Sequence, residues 1–164
     1  MAKTYEPIAT TTLGSAAATY TFSSIPSTYT DLVVVMQPKG TTSFDSKIYF
    51  NGDVTSGLYS DTVLYGTGTT AGSTRETAKN FITLSWYAST SADFNNSTII
   101  HIMNYSNATT FKTALVRANN AASGVDAIVG LWRNTAAITS VTLNAPSNTY
   151  ATGSTFTLYG IKAA

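Results

Sequence analysis

Short runs rich in β-branched and aromatic residues alternate along the chain with clusters of Gly, Asn, Ser and Pro, and this alternation most constrains the fold. The 3.6-residue period of an amphipathic helix is almost absent, whereas a period of two recurs. In FITLSW, for example, Ile82, Leu84 and Trp86 fall on one side of an extended chain. Such alternation is typical of antiparallel sheets that are covered on one face.

A strand is predicted wherever such a run lies between two breaker clusters. The predicted strands are Ile8–Leu13, Thr19–Ser23, Asp31–Gln37, Lys47–Phe50, Asn80–Tyr87, Thr98–Tyr105, Phe111–Ala118, Ala127–Arg133, Ser140–Leu143 and Thr155–Ile161. About ten strands without intervening helices predict an all-β fold, an antiparallel β-sandwich of the jelly-roll type.

Two of the runs are apolar at consecutive positions rather than at alternate ones. They are LVVVM, from Leu32 to Met36, and AIVGLW, from Ala127 to Trp132. Because both sides of such a strand are apolar, we expect each of them to be covered on both faces. LVVVM is also far shorter than the roughly 18 apolar residues of a membrane-spanning helix, so we expect no membrane contact.

The chain of 164 residues has the size of one domain, and no repeat or linker divides it, so we predict a single domain over residues 1–164. One segment, Asp53–Lys79, is Gly-rich and irregular and contains Tyr59 and Tyr65. It predicts a long excursion at one end of the sandwich, with a short helix around Thr74–Ala78.

Charge is low, with 10% charged residues and a formal net charge of +1, while 30 Thr and 18 Ser supply polar surface. The basic residues are scattered singly, and phosphate neutralisation needs a cluster, so we expect no nucleic-acid partner. A near-neutral surface gives little repulsion between copies, which suits a protein in an assembly. Without cysteine, neither disulfides nor thiolate metal sites can form, and we expect no cofactor.

Catalytic signatures are weak. The single histidine, His101, lies inside a predicted strand without a partner motif, which favours a structural role over a catalytic or ligand-binding one. Asp45, Asp53 and Asp61 could suggest a carboxylate pair or a calcium site, but their spacing matches no EF-hand loop. Roles in turns, where Asp bonds nearby backbone, explain them better. We therefore expect no enzyme activity.

Aromatic residues suggest where a partner could bind. Trp86 shares an alternating face with apolar residues and is expected in the core, while Trp132 ends an apolar run and is expected in the core or at a subunit contact. The candidate interface or ligand face consists of Tyr59, Tyr65, Arg75 and Trp132.

Five stretches of the chain resemble segments that recur in virion proteins of tailed phages, especially marine and cyanobacterial ones. They are FSSIPSTYTDLVVVM, FNGDVTSGLYSDTVLYGTGTTA, IIHIMNYSNATTFKTALVRANN, GLWRNTAAITSVTL and GSTFTLYGI. The likeness is carried by Ile25, Pro26, Tyr29, Asn51, Gly52, Asp53, Trp132, Ile138, Ser154, Phe156, Tyr159 and Gly160. It implies a jelly-roll-like domain of the kind found in tail fibres, head fibres and capsid decoration (cement) proteins, with no inherited catalytic residues.

Fibre proteins usually place this domain after an attachment region or stalk, whereas here it begins within a few residues of Met1. We therefore expect a capsid decoration protein on the virion surface, with itself (as a homotrimer, by family analogy) and the major capsid protein as partners. The alternative is a receptor- or glycan-binding module of a tail or head fibre. A glycan-degrading enzyme is a third hypothesis.

Overall fold

The computed structural model describes residues 4–162, which form strands, turns and irregular segments. The strands are β1 (Tyr5–Thr12), β2 (Thr19–Phe22), β3 (Asp31–Gln37), β4 (Lys47–Phe50), β5 (Tyr59–Gly66), β6 (Ala71–Lys79), β7 (Ile82–Thr83), β8 (Ser97–Met103), β9 (Lys112–Asn120), β10 (Gly124–Trp132), β11 (Val141–Asn144) and β12 (Thr155–Ile161). In this part of the chain no helix is long and apolar enough to cross a membrane.

Two antiparallel sheets make up the fold. The large sheet has the order β1-β12-β3-β8-β9-β10-β5-β6, and the small sheet has the order β2-β11-β4-β7. The chain alternates between the two sheets as in a jelly roll. Between β2 and β11 it enters the large sheet at β3, at β5–β6 and at β8–β10, and returns to the small sheet at β4, β7 and β11. The meander β8–β10 widens the large sheet at its centre, and β1 and β12 extend it at one side. The predicted fold class is confirmed.

The inner faces of the two sheets enclose a continuous hydrophobic core. It combines Phe22, Ile48, Phe50, Val141 and Leu143 of the small sheet with Leu32, Val34, Ile100, Val116, Ile128, Trp132, Phe156 and Leu158 of the large one. The short strand β7 lies close against β10. A Cβ atom added at Gly130 of β10 would be only 2.4 Å from the side chain of Ile82 in β7. The absence of a side chain at Gly130 therefore allows Ile82 to pack closely against β10.

Two tyrosines, Tyr105 and Tyr29, hold the turn before β3 in place. Tyr105 donates its hydroxyl to the carbonyl oxygen of Pro26 and accepts the backbone N–H of Tyr29 at 3.4 Å. The ring of Tyr29 lies over Gly160 of β12, where an added Cβ would be 2.3 Å from it. Tyr29 thus ties the turn to the neighbouring strand.

The segment Asp53–Lys79 differs from the prediction. Most of it is the β5–β6 hairpin at one side of the large sheet, and Thr74–Ala78 belongs to β6 rather than to a helix. Gly and Thr residues hide the strand pattern here, because most β6 side chains face solvent and need not be apolar.

The predicted strand Asn80–Tyr87 is reduced to Ile82–Thr83 of β7. The carboxylate of Asp126 in β10 accepts the backbone N–H groups of Trp86 at 2.6 Å, Tyr87 at 3.0 Å and Ala88 at 2.9 Å. In a continued strand these N–H groups would donate to the backbone of a neighbouring strand. Here they donate to the Asp126 carboxylate instead, so the strand does not continue. Trp86, predicted in the core, is partly buried and packs against its edge.

Candidate functional site

The predicted interface face does not exist as a surface. Trp132 and Tyr59 are opposite each other on β10 and β5, both are fully buried, and their rings stack at 6.2 Å. Tyr65 is half-buried with its ring 4.3 Å from that of Tyr87, and Arg75 is exposed on the other side of the sheet. Tyr59, Tyr65 and Trp132 lie on the inner side of the sheet and Arg75 on the outer side, so the four residues form no common face. The interface prediction was wrong for Tyr59 and Trp132, whereas the expectation of Trp132 in the core is confirmed.

Trp132 and Tyr59 instead anchor the Asn51–Gly52–Asp53 turn. The indole N–H of Trp132 donates to Asp53 Oδ2 at 2.9 Å, and the Tyr59 hydroxyl donates to the Asp53 carbonyl oxygen at 2.9 Å. Asp53 also accepts the backbone N–H of Thr55 at 3.1 Å, which confirms its predicted role in a turn. Partial burial raises the pKa of the Asp53 carboxyl, but the hydrogen bonds from Thr55 and Trp132 outweigh it and leave the pKa below its ordinary value.

Asp45 and Asp61 do not form turns, which corrects the sequence-based assignment. Asp61 is buried in β5, where it pairs with the Lys79 ammonium at 3.0 Å and accepts the backbone N–H of Thr83 at 2.8 Å. Asp45 accepts the hydroxyl of Ser89 at 2.6 Å, and burial raises its pKa. Both carboxylates hold distant segments together.

His101 lies on the outer side of β8. Its Nε2 is 3.2 Å from Asp31 Oδ2, and Asp31 Oδ1 accepts the backbone N–H of Asn104 at 2.6 Å. Its cross-strand neighbours are the apolar Val33 and Leu115, so no nucleophile stands beside it. Within residues 4–162, no group of three His, Cys, Asp or Glu side chains could hold a metal ion.

An apolar trough that was not predicted from the sequence lies on the outer face of the large sheet. In one row across β8, β9, β10 and β5, the register aligns Ile99, Arg117, Ala127 and Leu64. The next rows are His101, Leu115, Val129 and Thr62 on one side and Ser97, Asn119, Val125 and Gly66 on the other. The trough is defined here by these twelve residues.

Large apolar side chains of the trough are open to solvent. Leu64 is 59% exposed, Val125 57%, Val129 51% and Leu115 41%. They surround two adjoining hollows of about 560 and 450 Å³, which share Leu64, Ile99, Arg117 and Ala127. The face thus offers a concave apolar surface about four strands wide.

Arg117 is the exposed charge at the centre of the trough. No carboxylate of the described chain lies within ion-pair distance of it. Asp126, which also lines one hollow, is buried, and its carboxylate accepts the backbone N–H groups of Trp86 and Tyr87. The trough can therefore receive a surface that combines apolar side chains with one carboxylate.

One clue to the trough was present in the sequence. The run AIVGLW was expected to be covered on both faces, but the outer side chains Ala127 and Val129 are exposed and only the inner ones are covered. The large sheet has a partner layer on its inner face only, so an apolar outer side chain stays exposed unless its neighbours in the sheet shield it. The run therefore predicted that the outer face of β10 is apolar, but it did not predict that this face is exposed to solvent.

Comparison with known proteins leaves the function open. No protein-family model matches the chain, and no curated protein sequence matches it. An alginate lyase solved as a mutant with alginate tetrasaccharide is 9% identical, with 94% of this chain and 80% of that chain covered at a TM-score of 0.34. The flagellar cap protein FliD of Escherichia coli is 13% identical, with 95% and 56% covered at a TM-score of 0.14. At these scores neither likeness bears on function.

Proposed function

We propose that this chain is a structural protein of a phage virion, a capsid decoration protein that binds the assembled shell and stabilises it as a homo-oligomer, with no enzymatic activity. The observation that carries the proposal is the trough, a concave apolar face at the centre of the large sheet. The resemblance of the five sequence stretches to tailed-phage virion proteins supports the location.

An exposed apolar face of this kind favours a protein partner. Contiguous apolar surface on a soluble domain marks an interaction site, because covering it releases ordered water and lowers the free energy. Arginine is enriched at the energetic centres of protein interfaces, and Arg117 stands at the centre of this one. A ligand that binds assembled shells but not free subunits stabilises the shell by mass action.

The polar groups that could suggest an enzyme have structural partners. The carboxylate of Asp61 is engaged by Lys79 and that of Asp53 by Trp132. The His101–Asp31 pair orients the imidazole, but apolar side chains flank it. These contacts favour a binding role over hydrolysis, which needs a base beside a nucleophile or an activated water.

The test uses phage shells assembled without this protein. Purified protein is expected to sediment with the shells and to raise their melting temperature. Val125→Asp in the trough is expected to weaken shell binding by about tenfold or more, a loss of at least about 1.4 kcal/mol, whether the trough contacts the shell itself or holds together the oligomer that binds the shell. The matched control is Val54→Asp, because Val54 is similarly exposed, at 52%, but lies in the Asp53 turn. Affinity for host cells or their polysaccharide, with none for shells, would contradict the proposal.

A second candidate function, a glycan- or receptor-binding fibre module, is favoured by a polar cleft of about 400 Å³ beside β4 and β7. The cleft contains Asp45, Asn80 and the partly buried Trp86. The Lys47 ammonium lies 3.8 Å from the centre of the Phe81 ring. Aromatic rings beside amides and charges suit sugar hydroxyls and C–H faces. If this function is correct, Phe81→Ala abolishes binding to host polysaccharide and Val125→Asp does not.

A further inference from the structure

A loop at the end of the trough presents an acidic and an aromatic side chain to solvent. In residues 91–95, Asp93 is exposed and the neighbouring Phe94 is 37% exposed. An exposed phenyl ring without a polar atom is costly in water unless another surface covers it. No partner of the Asp93 carboxylate is found among the hydrogen bonds and ion pairs of residues 4–162.

The base of this loop is fixed, so its tip is presented in a defined place. The side chain of Asn96 is buried, accepts the backbone N–H of Ser91 at 2.6 Å and donates to the carbonyl oxygen of Asn119 at 2.9 Å. Ser91 Oγ in turn accepts the backbone N–H of Asp93 at 3.0 Å. Because Asn119 lines the trough, the loop begins at the trough's own end.

Loop and trough are chemically complementary. The trough offers apolar walls at Leu64 and Val125 and an unpaired guanidinium at Arg117. The loop offers a phenyl ring next to an unpaired carboxylate. Each hollow is larger than a phenylalanine side chain, and guanidinium–carboxylate pairs are the strongest of the common charge-assisted hydrogen bonds.

We propose that a second copy of this chain occupies the trough, with its Phe94 ring against the apolar walls and its Asp93 carboxylate on Arg117. Each copy carries both the trough and a loop whose base lies at the end of the trough, so the contact can be reciprocal about a two-fold axis. The inference deepens the proposed function and rests on its claim that copies of the chain associate.

Size supports reciprocal docking. Four strands spaced by about 4.8 Å, each with five residues of about 3.4 Å in the trough, present on the order of 300 Å². The loop of each copy adds to its own trough, which gives a contact smaller than the roughly 800 Å² that each partner buries in a standard interface and makes a reciprocal contact necessary. The net charge of +1 leaves little repulsion between the copies.

A charge exchange tests the contact, with the dissociation constant of the purified protein measured by analytical ultracentrifugation. Asp93→Arg and Arg117→Asp, made singly, are each expected to weaken self-association by about tenfold or more, because each places like charges together. The double variant exchanges the charges and is expected to return to within about threefold of the unaltered protein. Phe94→Ala should weaken association about tenfold, and combining it with the charge exchange should not restore that loss.

The matched control is Val54→Asp, which places a carboxylate on an exposed side chain in the Asp53 turn, away from the trough, and is expected to leave association unchanged. Unchanged melting temperatures show that the variants fold. Single variants that associate normally, or a double variant as weak as the singles, would overturn the inference. So would an unaltered protein that is monomeric at about 100 μM, well above the dissociation constants of specific protein pairs.

Shell binding separates this inference from the proposed function. If the unaltered protein is monomeric and Arg117→Asp abolishes shell binding, a shell subunit occupies the trough. The inference then fails together with the homo-oligomer of the proposed function, and the shell-binding role alone stands. If the charge exchange restores self-association but no variant binds shells, the inference stands and decoration fails.

Discussion

Strands β3 and β10 begin from the same sequence pattern and end in different surroundings. Both are apolar at consecutive positions, and both were expected to be covered on two faces. On the outer side, Val33 of β3 is 6% exposed, whereas Val129 of β10 is 51% exposed. The expectation holds for β3 and fails for β10.

Neighbouring side chains explain the difference. Val33 lies between the rings of Tyr159 on β12 and His101 on β8, which shield it without a further layer of structure. Val129 lies between Leu115 and Thr62, which are too small to enclose it. An apolar run therefore indicates that both faces of a strand are apolar. The side chains on the neighbouring strands determine whether those faces are buried within the same chain or exposed to solvent.

The inner side of β10 should carry the largest effect on stability. Trp132→Ala removes a fully buried indole, its stacking on Tyr59 and the hydrogen bond to Asp53. We expect the free energy of unfolding to fall by about 3–5 kcal/mol, measured by urea denaturation. Trp132→Phe should lose less, because it keeps an aromatic ring. A loss below about 1 kcal/mol for the alanine variant would show that the core closes around the gap.

A matched pair of substitutions compares the outer sides of the two strands directly. Val33→Asp buries a carboxylate and is expected to cost about 2–4 kcal/mol in the free energy of unfolding. Val129→Asp places the same group in solvent and is expected to cost about 0.5 kcal/mol or less. Urea denaturation at a concentration where the protein is monomeric measures both. If the two variants lost the same free energy of unfolding, the outer faces of β3 and β10 would not differ in burial as described.

Gly130 tests how closely the small sheet approaches β10. Gly130→Ala drives a methyl group into the side chain of Ile82 and is expected to cost about 1–3 kcal/mol. The control is Ala127→Val on the outer side of the same strand, where we expect a change of about 0.5 kcal/mol or less. Thermal denaturation of the two variants gives the comparison. A neutral Gly130→Ala would mean that β7 moves freely.

The turn that supports Trp132 should show the smallest effect and a dependence on pH. Asp53→Asn removes the charge that accepts from Thr55 and Trp132, at an expected cost of about 1 kcal/mol at pH 7. The folded-state pKa of Asp53 lies below the ordinary 3.8, so its contribution is complete above that pH and disappears as pH falls through the folded-state pKa.

Urea denaturation at pH 7 and near pH 3 therefore gives the check. The difference between the unaltered protein and Asp53→Asn should shrink in acid. A difference that grows in acid would reverse the assigned sign of the pKa shift.

Much of the fold was predictable because local pattern and tertiary environment agreed. The predicted strands Asp31–Gln37, Lys47–Phe50 and Thr155–Ile161 match β3, β4 and β12. The β5–β6 hairpin was missed because its polar side chains break the apolar pattern. The strand at β7 was overestimated because Asp126, about forty residues away, captures its backbone donors.

The sequence by itself determined that this chain forms an antiparallel β-sandwich, since periodicity and breakers are local properties that the backbone must obey. It also determined that the runs in β3 and β10 are apolar on both sides. Only the tertiary structure decided that Tyr59 lies inside, that Trp132 is in the core and not at a subunit contact, and that Leu64, Arg117 and Val125 form one exposed trough. The physical reason is register: which residues stand side by side depends on pairing between strands that are distant in the chain, and no local pattern specifies it.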